Sequence, residues 1–129
     1  MGEWALFGGV ADIRFWGYNG GMDINVPKID TIVSIIVSIA SPDQIILFGS
    51  YARGDNREKS DIDLLILKKG LKDRHDLVSS IYCAFLDNDI GIPVDVLAID
   101  YDRYLELSNE IGYVYKTIKK EGKVIYGSV

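Results

Sequence analysis

Two short stretches carry residue types able to do phosphate and metal chemistry. The first is Ile45-Ile46-Leu47-Phe48-Gly49-Ser50-Tyr51-Ala52-Arg53-Gly54, an apolar run that ends in Gly-Ser. The second is Ser60-Asp61-Ile62-Asp63-Leu64-Leu65-Ile66-Leu67, an apolar run that opens with two carboxylates one residue apart. Strand side chains alternate faces, so Asp61 and Asp63 share one face while Ile62 and Leu64 share the other. Two like charges side by side repel and are costly to desolvate. Their position at the mouth of a buried strand points to a divalent cation held between them. A Gly-Ser turn at the end of a neighbouring strand can turn backbone N–H groups toward phosphate. Gly49 has no Cβ to keep a phosphate away from the backbone, and the Ser50 hydroxyl and N–H can bond a phosphate oxygen. A phosphate cradle beside metal-binding carboxylates suggests nucleotide chemistry.

Asp95 lies between Val94 and Val96 in a third apolar run. A lone carboxylate in such a run needs a partner or water. It can be a salt-bridged structural Asp, sit at a solvated edge, or face the Asp61/Asp63 side of the sheet. In the last case three carboxylates surround two Mg²⁺ ions, an arrangement able to bind a triphosphate, activate a hydroxyl and stabilise departing pyrophosphate. Asp95 could then also serve as general base. Arg53 has two readings, a phosphate contact or an anchor of the short helix to an acidic neighbour.

The elements that must position these residues follow from periodicity. Apolar residues Ile29, Ile32, Val33, Ile36, Val37 and Ala40 keep helical spacing, with Pro27 in the first turn. Ser41-Pro42-Asp43 breaks the chain, and Gln44 to Phe48 reads as a buried strand. A short helix is expected over Tyr51 to Gly54, then polar loop to Ser60. Asp61 to Leu67 reads as the second strand. Lys72 to Asp87 reads as an amphipathic helix capped by Asp73, with Leu77, Val78, Ile81, Tyr82, Phe85 and Leu86 on its apolar stripe. Ile92 to Ile99 is the third strand. Asp100 or Asp102 can cap a helix running to about Lys120, with Tyr104, Leu105, Ile111, Val114, Tyr115 and Ile118 inward and Gly122 at its C-cap. Val124-Ile125-Tyr126 closes the pattern as a short strand. Helices alternate with strands, which predicts an α/β (α+β) fold. The link between the first two strands is too short for a crossover helix, so the sheet is expected to be mixed or antiparallel.

The chain has 129 residues, with 19 acidic against 14 basic side chains and a net charge of -5. One domain with a real core is expected. The acidic balance argues against a polynucleotide substrate but not against a mononucleotide, whose charge Mg²⁺ can meet. Cys83 is the single cysteine, which excludes an internal disulfide and suits a cytoplasmic protein; its apolar helical setting predicts a small core residue. His75, the single histidine, reads as a surface residue. No run reaches the roughly 18–20 apolar residues of a membrane span. Residues 1–21 differ from the rest, with both tryptophans (Trp4 and Trp16) and six glycines. They read as an extension upstream of a working start at Met22, or as a partner-binding arm, leaving 22–129 as the functional domain.

Gly49-Ser50, ten intervening residues and Asp61-x-Asp63 resemble the signature of the DNA polymerase beta-like nucleotidyltransferase superfamily. The wording around both motifs, Pro93-Val94-Asp95-Val96, and the run Lys120 to Tyr126 are particularly similar to its minimal, single-domain prokaryotic branch. The resemblance covers Met22 onward. It implies a mixed sheet flanked by helices, two Mg²⁺ ions, and ATP or another nucleoside triphosphate as donor. In that family Asp61, Asp63 and Asp95 would be the catalytic metal ligands, and Gly49, Ser50 and Arg53 would line the nucleotide. Many minimal members are antitoxins that transfer AMP to a tyrosine of a HEPN-domain RNase toxin. The chain shows no second helical domain or basic groove to hold an acceptor, so a partner protein is the expected one, in a homo- or hetero-oligomer. A non-catalytic toxin-binding module and a small-molecule nucleotidyltransferase of the aminoglycoside type are the competing functions.

Overall fold

The computed structural model describes residues 26–127; the distinctive segment 1–21 and its boundary at Met22 lie outside the described residues. The order of elements is α1 (Ile29–Ala40), β1 (Gln44–Phe48), α2 (Ser50–Arg53), β2 (Ile62–Lys68), α3 (Arg74–Asp87), β3 (Val94–Asp100), α4 (Tyr101–Leu107), α5 (Val114–Glu121) and β4 (Lys123–Gly127). The four strands form one sheet in the order β3-β2-β1-β4. β1 runs antiparallel to β2 and β4, and β2 runs parallel to β3. The sheet is therefore mixed, as the short link between β1 and β2 requires. Among the described residues no helix is long and apolar enough to cross a membrane.

Both faces of the sheet are covered, and the period-two alternation sorts the core. Ile45, Leu47, Ile62, Leu64 and Ile66 turn to one side, with Val94, Val96 and Ala98, where α1 and α3 supply Ile32, Ile36, Ile81 and Phe85. Ile46, Leu65, Leu67 and Ile99 turn to the other, where α4 and α5 supply Tyr104, Leu107 and Ile118. The central strands are buried on both faces, which explains why β1 and β2 read as unbroken apolar runs rather than alternating ones.

Capping matches the sequence where a side chain does the work. The Asp73 carboxylate accepts from the Asp76 N–H at 3.0 Å and starts α3. Asp100 accepts from the Arg103 N–H at 3.1 Å and starts α4. Gly122 follows α5, its N–H donating to the Ile118 carbonyl at 2.7 Å. A Cβ there would lie 2.6 Å from Ile46 Cγ2, so it is close packing that selects glycine.

Several expectations are corrected. Pro27 precedes α1 in a turn, and Lys28, in the left-handed region at φ 57°, is the N-cap. The helix expected from Asp100 or Asp102 to Lys120 is two helices. Ser108 Oγ and Asn109 Nδ2 both donate back to the Leu105 carbonyl, at 3.1 and 3.2 Å, and such bonds compete with helix continuation. Gly112 then takes a positive φ of 98°. As a result Leu105, Ile111 and Val114 are exposed rather than inward. Tyr82 and Leu86 also leave the predicted stripe of α3. They sit one residue, about 100° of helix rotation, past Ile81 and Phe85, which are the buried pair. The Tyr82 hydroxyl instead accepts from the Val96 N–H at 2.9 Å on the edge strand β3. Cys83 is exposed, not a core residue; two positions beyond Ile81 places it about 200° round the helix, toward solvent. His75 is exposed, as expected.

Candidate active site

The motifs meet at one end of the sheet. β1 delivers Phe48 and then Gly49-Ser50, and the antiparallel register sets Phe48 opposite Asp63. The parallel register sets Asp63 beside Asp95. Asp95 therefore lies beside Asp63 on the same face, and, exposed on the edge strand β3, it stands at a solvated edge as well, so two of the three possibilities for this residue hold together. Asp63 and Asp95 share the sheet face that carries Leu65 and Ile99 further along their strands. That face is covered by α4 and α5 at its far end, and at this end Asp63 is half-buried and Asp95 exposed. Asp61 stands one residue before β2 and is exposed.

Gly49 adopts φ 74°, ψ -155°, a region essentially reserved for glycine. A Cβ on Gly49 would run into the Asp63 carboxylate, and this side chain supplies all three nearest atoms. Glycine here thus makes room for Asp63 itself, a closer reason than the phosphate approach expected from sequence. Ser50 opens α2, and the Gly49 carbonyl accepts from the N–H groups of Ala52 and Arg53 at 3.1 and 3.0 Å. Gly54 closes the turn at φ 83°.

The Asp63 carboxyl is raised above its ordinary range. Burial is the largest cause, followed by the charges of Asp95 and Asp61; Arg53 opposes them, and a hydrogen bond shared with Asp95 adds to the rise. Arg53 donates through Nε to Asp55 Oδ2 at 3.1 Å and lies 3.6 Å from Glu121 Oε1. Its guanidinium is held charged chiefly by the Asp55 bond and charge. Arg53 thus anchors α2 to acidic neighbours, the second of its two readings, and its charge also reaches Asp63. Its link to Glu121, at the end of α5, had no signal in the sequence, because nothing in spacing brings residue 121 to residue 53.

These residues offer a divalent cation carboxylate oxygens. Among the described residues no three His, Cys, Asp or Glu side chains converge closely enough, as they stand, to hold a metal ion. The donor chemistry fits all the same. Carboxylate oxygens are the hard ligands that Mg²⁺ takes, and a cation here would offset the mutual repulsion of Asp61, Asp63 and Asp95 that raises Asp63.

The polymerase beta nucleotidyltransferase profile matches residues 30–128, which includes every residue of this site. The chain belongs to the polymerase beta nucleotidyltransferase family. Within this family it is similar to three proteins of Methanocaldococcus jannaschii described as proposed protein adenylyltransferases. One is 36% identical over 83 residues, covering 64% of this chain and 77% of that protein. The others are 70% identical over 27 residues and 50% identical over 46 residues, matches that span 27% and 31% of those proteins' own length. Among solved structures, a toxin-antitoxin with AMP-PNP has a TM-score of 0.52 at 22% identity, covering 78% of this chain and 74% of that one. A mutant of the toxin-antitoxin MntA-HpeT has the same TM-score at 19% identity, with 77% and 72% covered. At such identities these structures show the nucleotidyltransferase fold.

Proposed function

We propose that this nucleotidyltransferase transfers AMP from ATP to a hydroxyl, a tyrosine, of a partner HEPN-type toxin, and so acts as its antitoxin. The observation that carries this is the junction of Gly49, Asp63 and Asp95. One glycine, closed to any side chain by the Asp63 carboxylate, places the Gly-Ser turn against Asp63, and Asp95 stands beside Asp63 in register on the next strand. The adenylyltransferase description of the relatives and the toxin-antitoxin structures sharing the fold support the choice of donor and acceptor.

In this function Asp61, Asp63 and Asp95 would hold Mg²⁺, which would supply charge neutralisation for the triphosphate and lower the pKa of the attacking hydroxyl. Gly49 and Ser50 would meet the phosphates, with Arg53 adding positive charge. The acceptor oxygen forms a bond to the α-phosphorus, the bond from that phosphorus to its bridging oxygen breaks, and pyrophosphate leaves. The acceptor proton passes to the Asp95 carboxylate, which is exposed and so open to an incoming acceptor. Incubation with labelled ATP, Mg²⁺ and the toxin should label the toxin, and Asp61→Ala/Asp63→Ala should abolish labelling. No label from the intact protein refutes the transfer.

A second function, neutralising the toxin by covering it without chemistry, is favoured by one observation: the three carboxylates do not converge on an ion as they stand. It predicts that Asp61→Ala/Asp63→Ala protects cells as fully as the wild type.

A further inference from the structure

We propose that the open edge of β3 takes up an extended, acidic segment of the partner protein, which adds to the sheet at Ala98 and sets its carboxylates against Arg74 and His75. The proposal rests on transfer to a protein acceptor. β3 is an outer strand of the sheet, so one side of its backbone has no strand beside it. The parallel ladder decides which groups lie on that side. The Ile62 N–H donates to the Pro93 carbonyl at 3.0 Å, and in a parallel pair alternate residues of a strand serve its neighbour. Pro93, Asp95, Leu97 and Ile99 therefore bond to β2, while Val94, Val96 and Ala98 turn their backbone groups outward. The Val96 N–H is met there by the Tyr82 hydroxyl at 2.9 Å. At Ala98 no loop or side chain among the described residues takes up the outward groups. Ala98 is 4% exposed, and a backbone group largely held from water is costly to leave unpaired.

The surroundings of Ala98 select the occupant. Ala98 lies in a cleft of about 260 Å³ that Val96, Leu97, Arg74, His75 and Tyr115 also line. Val96 and Ala98 belong to the α3 side of the sheet, and Leu97, level with Leu65, to the α5 side. The cleft thus wraps the edge of the strand rather than one face, the setting in which an extended peptide adds as a further strand. Arg74 and His75 make no ion pair or side-chain hydrogen bond among the described residues. The nearby carboxylates are engaged elsewhere. Asp73 caps α3 through the Asp76 N–H, and Asp100 accepts from the N–H groups of Gly70 and Arg103. In a chain of net charge -5, the cleft is therefore a local attraction for acidic side chains. A polynucleotide has no ladder of N–H and C=O groups to lay along a strand edge, and the acidic balance of the chain opposes it. Ala98 stands three residues, about 10 Å, from Asp95 along β3, so a segment held here keeps the partner at the reaction centre.

The test uses the full chain, with the purified HEPN-type toxin as probe. Arg74→Glu/His75→Glu reverses the charge at two exposed positions. It should lower toxin affinity at least about 10-fold, and further than Arg74→Gln/His75→Gln does, because only the reversal repels a carboxylate. Ala98→Pro removes the outward N–H, a change that edge strands tolerate, and should also cost about 10-fold, the loss of one main-chain hydrogen bond. An unchanged ATP affinity checks that each variant is folded with its site intact; if Ala98→Pro fails to fold, the charge reversal decides alone. Nucleotide transfer should fall with toxin affinity and recover as toxin is raised, a change in KM rather than kcat. Unchanged toxin affinity in the reversal or in a folded Ala98→Pro overturns the proposal, as does an equal loss in the Glu and Gln pairs or a wild-type chain that never binds the toxin. Binding of a short single-stranded RNA that the reversal abolishes also overturns it, because the cations then serve phosphates. So does sedimentation showing that Ala98→Pro splits a dimer of this chain, the occupant then being a second copy. Weakened toxin binding in the variants when even the wild type transfers no nucleotide upholds the strand edge and refutes the transfer.

Discussion

Replacing Gly49 with alanine tests the contact on which the site is built. Two separate costs are expected. The backbone at φ 74°, ψ -155° lies where a side chain is strained, a cost of about 1–3 kcal/mol. The new methyl would also collide with the Asp63 carboxylate, whose Cγ lies 3.0 Å and Cβ 3.3 Å from the position it would take. Relieving that collision by moving Asp63 or bending the strand adds a further 1–3 kcal/mol or so, typical of overpacking. Gly49→Ala should therefore destabilise the chain by about 2–6 kcal/mol, a large share of a domain's stability. A double-mutant cycle separates the two costs. With Asp63→Ala the carboxylate is gone and only Asp63's Cβ-level contact remains, so Gly49→Ala in that background should cost only the backbone part. Urea denaturation of the four proteins gives the coupling directly. Equal costs of Gly49→Ala in both backgrounds would show that Asp63 is not what closes the position to side chains. A cost under about 0.5 kcal/mol in the wild type, the range of ordinary surface substitutions, would remove the backbone argument as well.

The raised Asp63 carboxyl makes stability depend on pH. Unfolded, Asp63 releases its proton near pH 3.9, an approximate peptide value; folded, it keeps it to higher pH. Between the two the native state binds more protons, so this group's contribution falls as pH rises through that window and stays lost above it. Asp63→Asn should flatten that part of the curve and leave the protein more stable at neutral pH in the absence of Mg²⁺; identical pH profiles of urea midpoints would refute this. Mg²⁺ should raise the thermal midpoint of the wild type and not that of Asp61→Ala/Asp63→Ala, and an equal rise in both would place the cation elsewhere. Gly122→Ala should cost about 1–3 kcal/mol, a value for forced overpacking, because its Cβ would lie 2.5 Å from the Ile118 carbonyl oxygen and 2.6 Å from Ile46 Cγ2; a fully stable variant would show that the turn from α5 into β4 can move off β1 freely. Asp73→Ala should cost about 1 kcal/mol through loss of the α3 cap, read from the same urea titrations.

The local grammar of the chain was legible in the residues. β1 is found at the predicted positions, and β2, β3 and β4 within two residues of them, because runs such as Ile45-Ile46-Leu47 leave no face that water could occupy. Asp73, Asp100 and Gly122 announced helix ends, since capping is decided by the residue and its nearest neighbours in sequence. The Gly-Ser turn and the Asp-x-Asp pair were visible for the same reason, as was membership in a nucleotidyltransferase family. What lay beyond the residues was every contact made across a long sequence separation. The parallel register of β2 on β3 decided that Asp95 stands beside Asp63, one residue of slip being enough to turn it to the other face. The approach of β1 to β2 decided that Gly49 accommodates a carboxylate. The fold of α5 onto the sheet brought Glu121 to Arg53, and the break before it left Ile111 and Val114 in solvent. Periodicity reports which residues want to be buried; only the packed layers determine which of them find cover, because the surface available to bury against is set by the other elements.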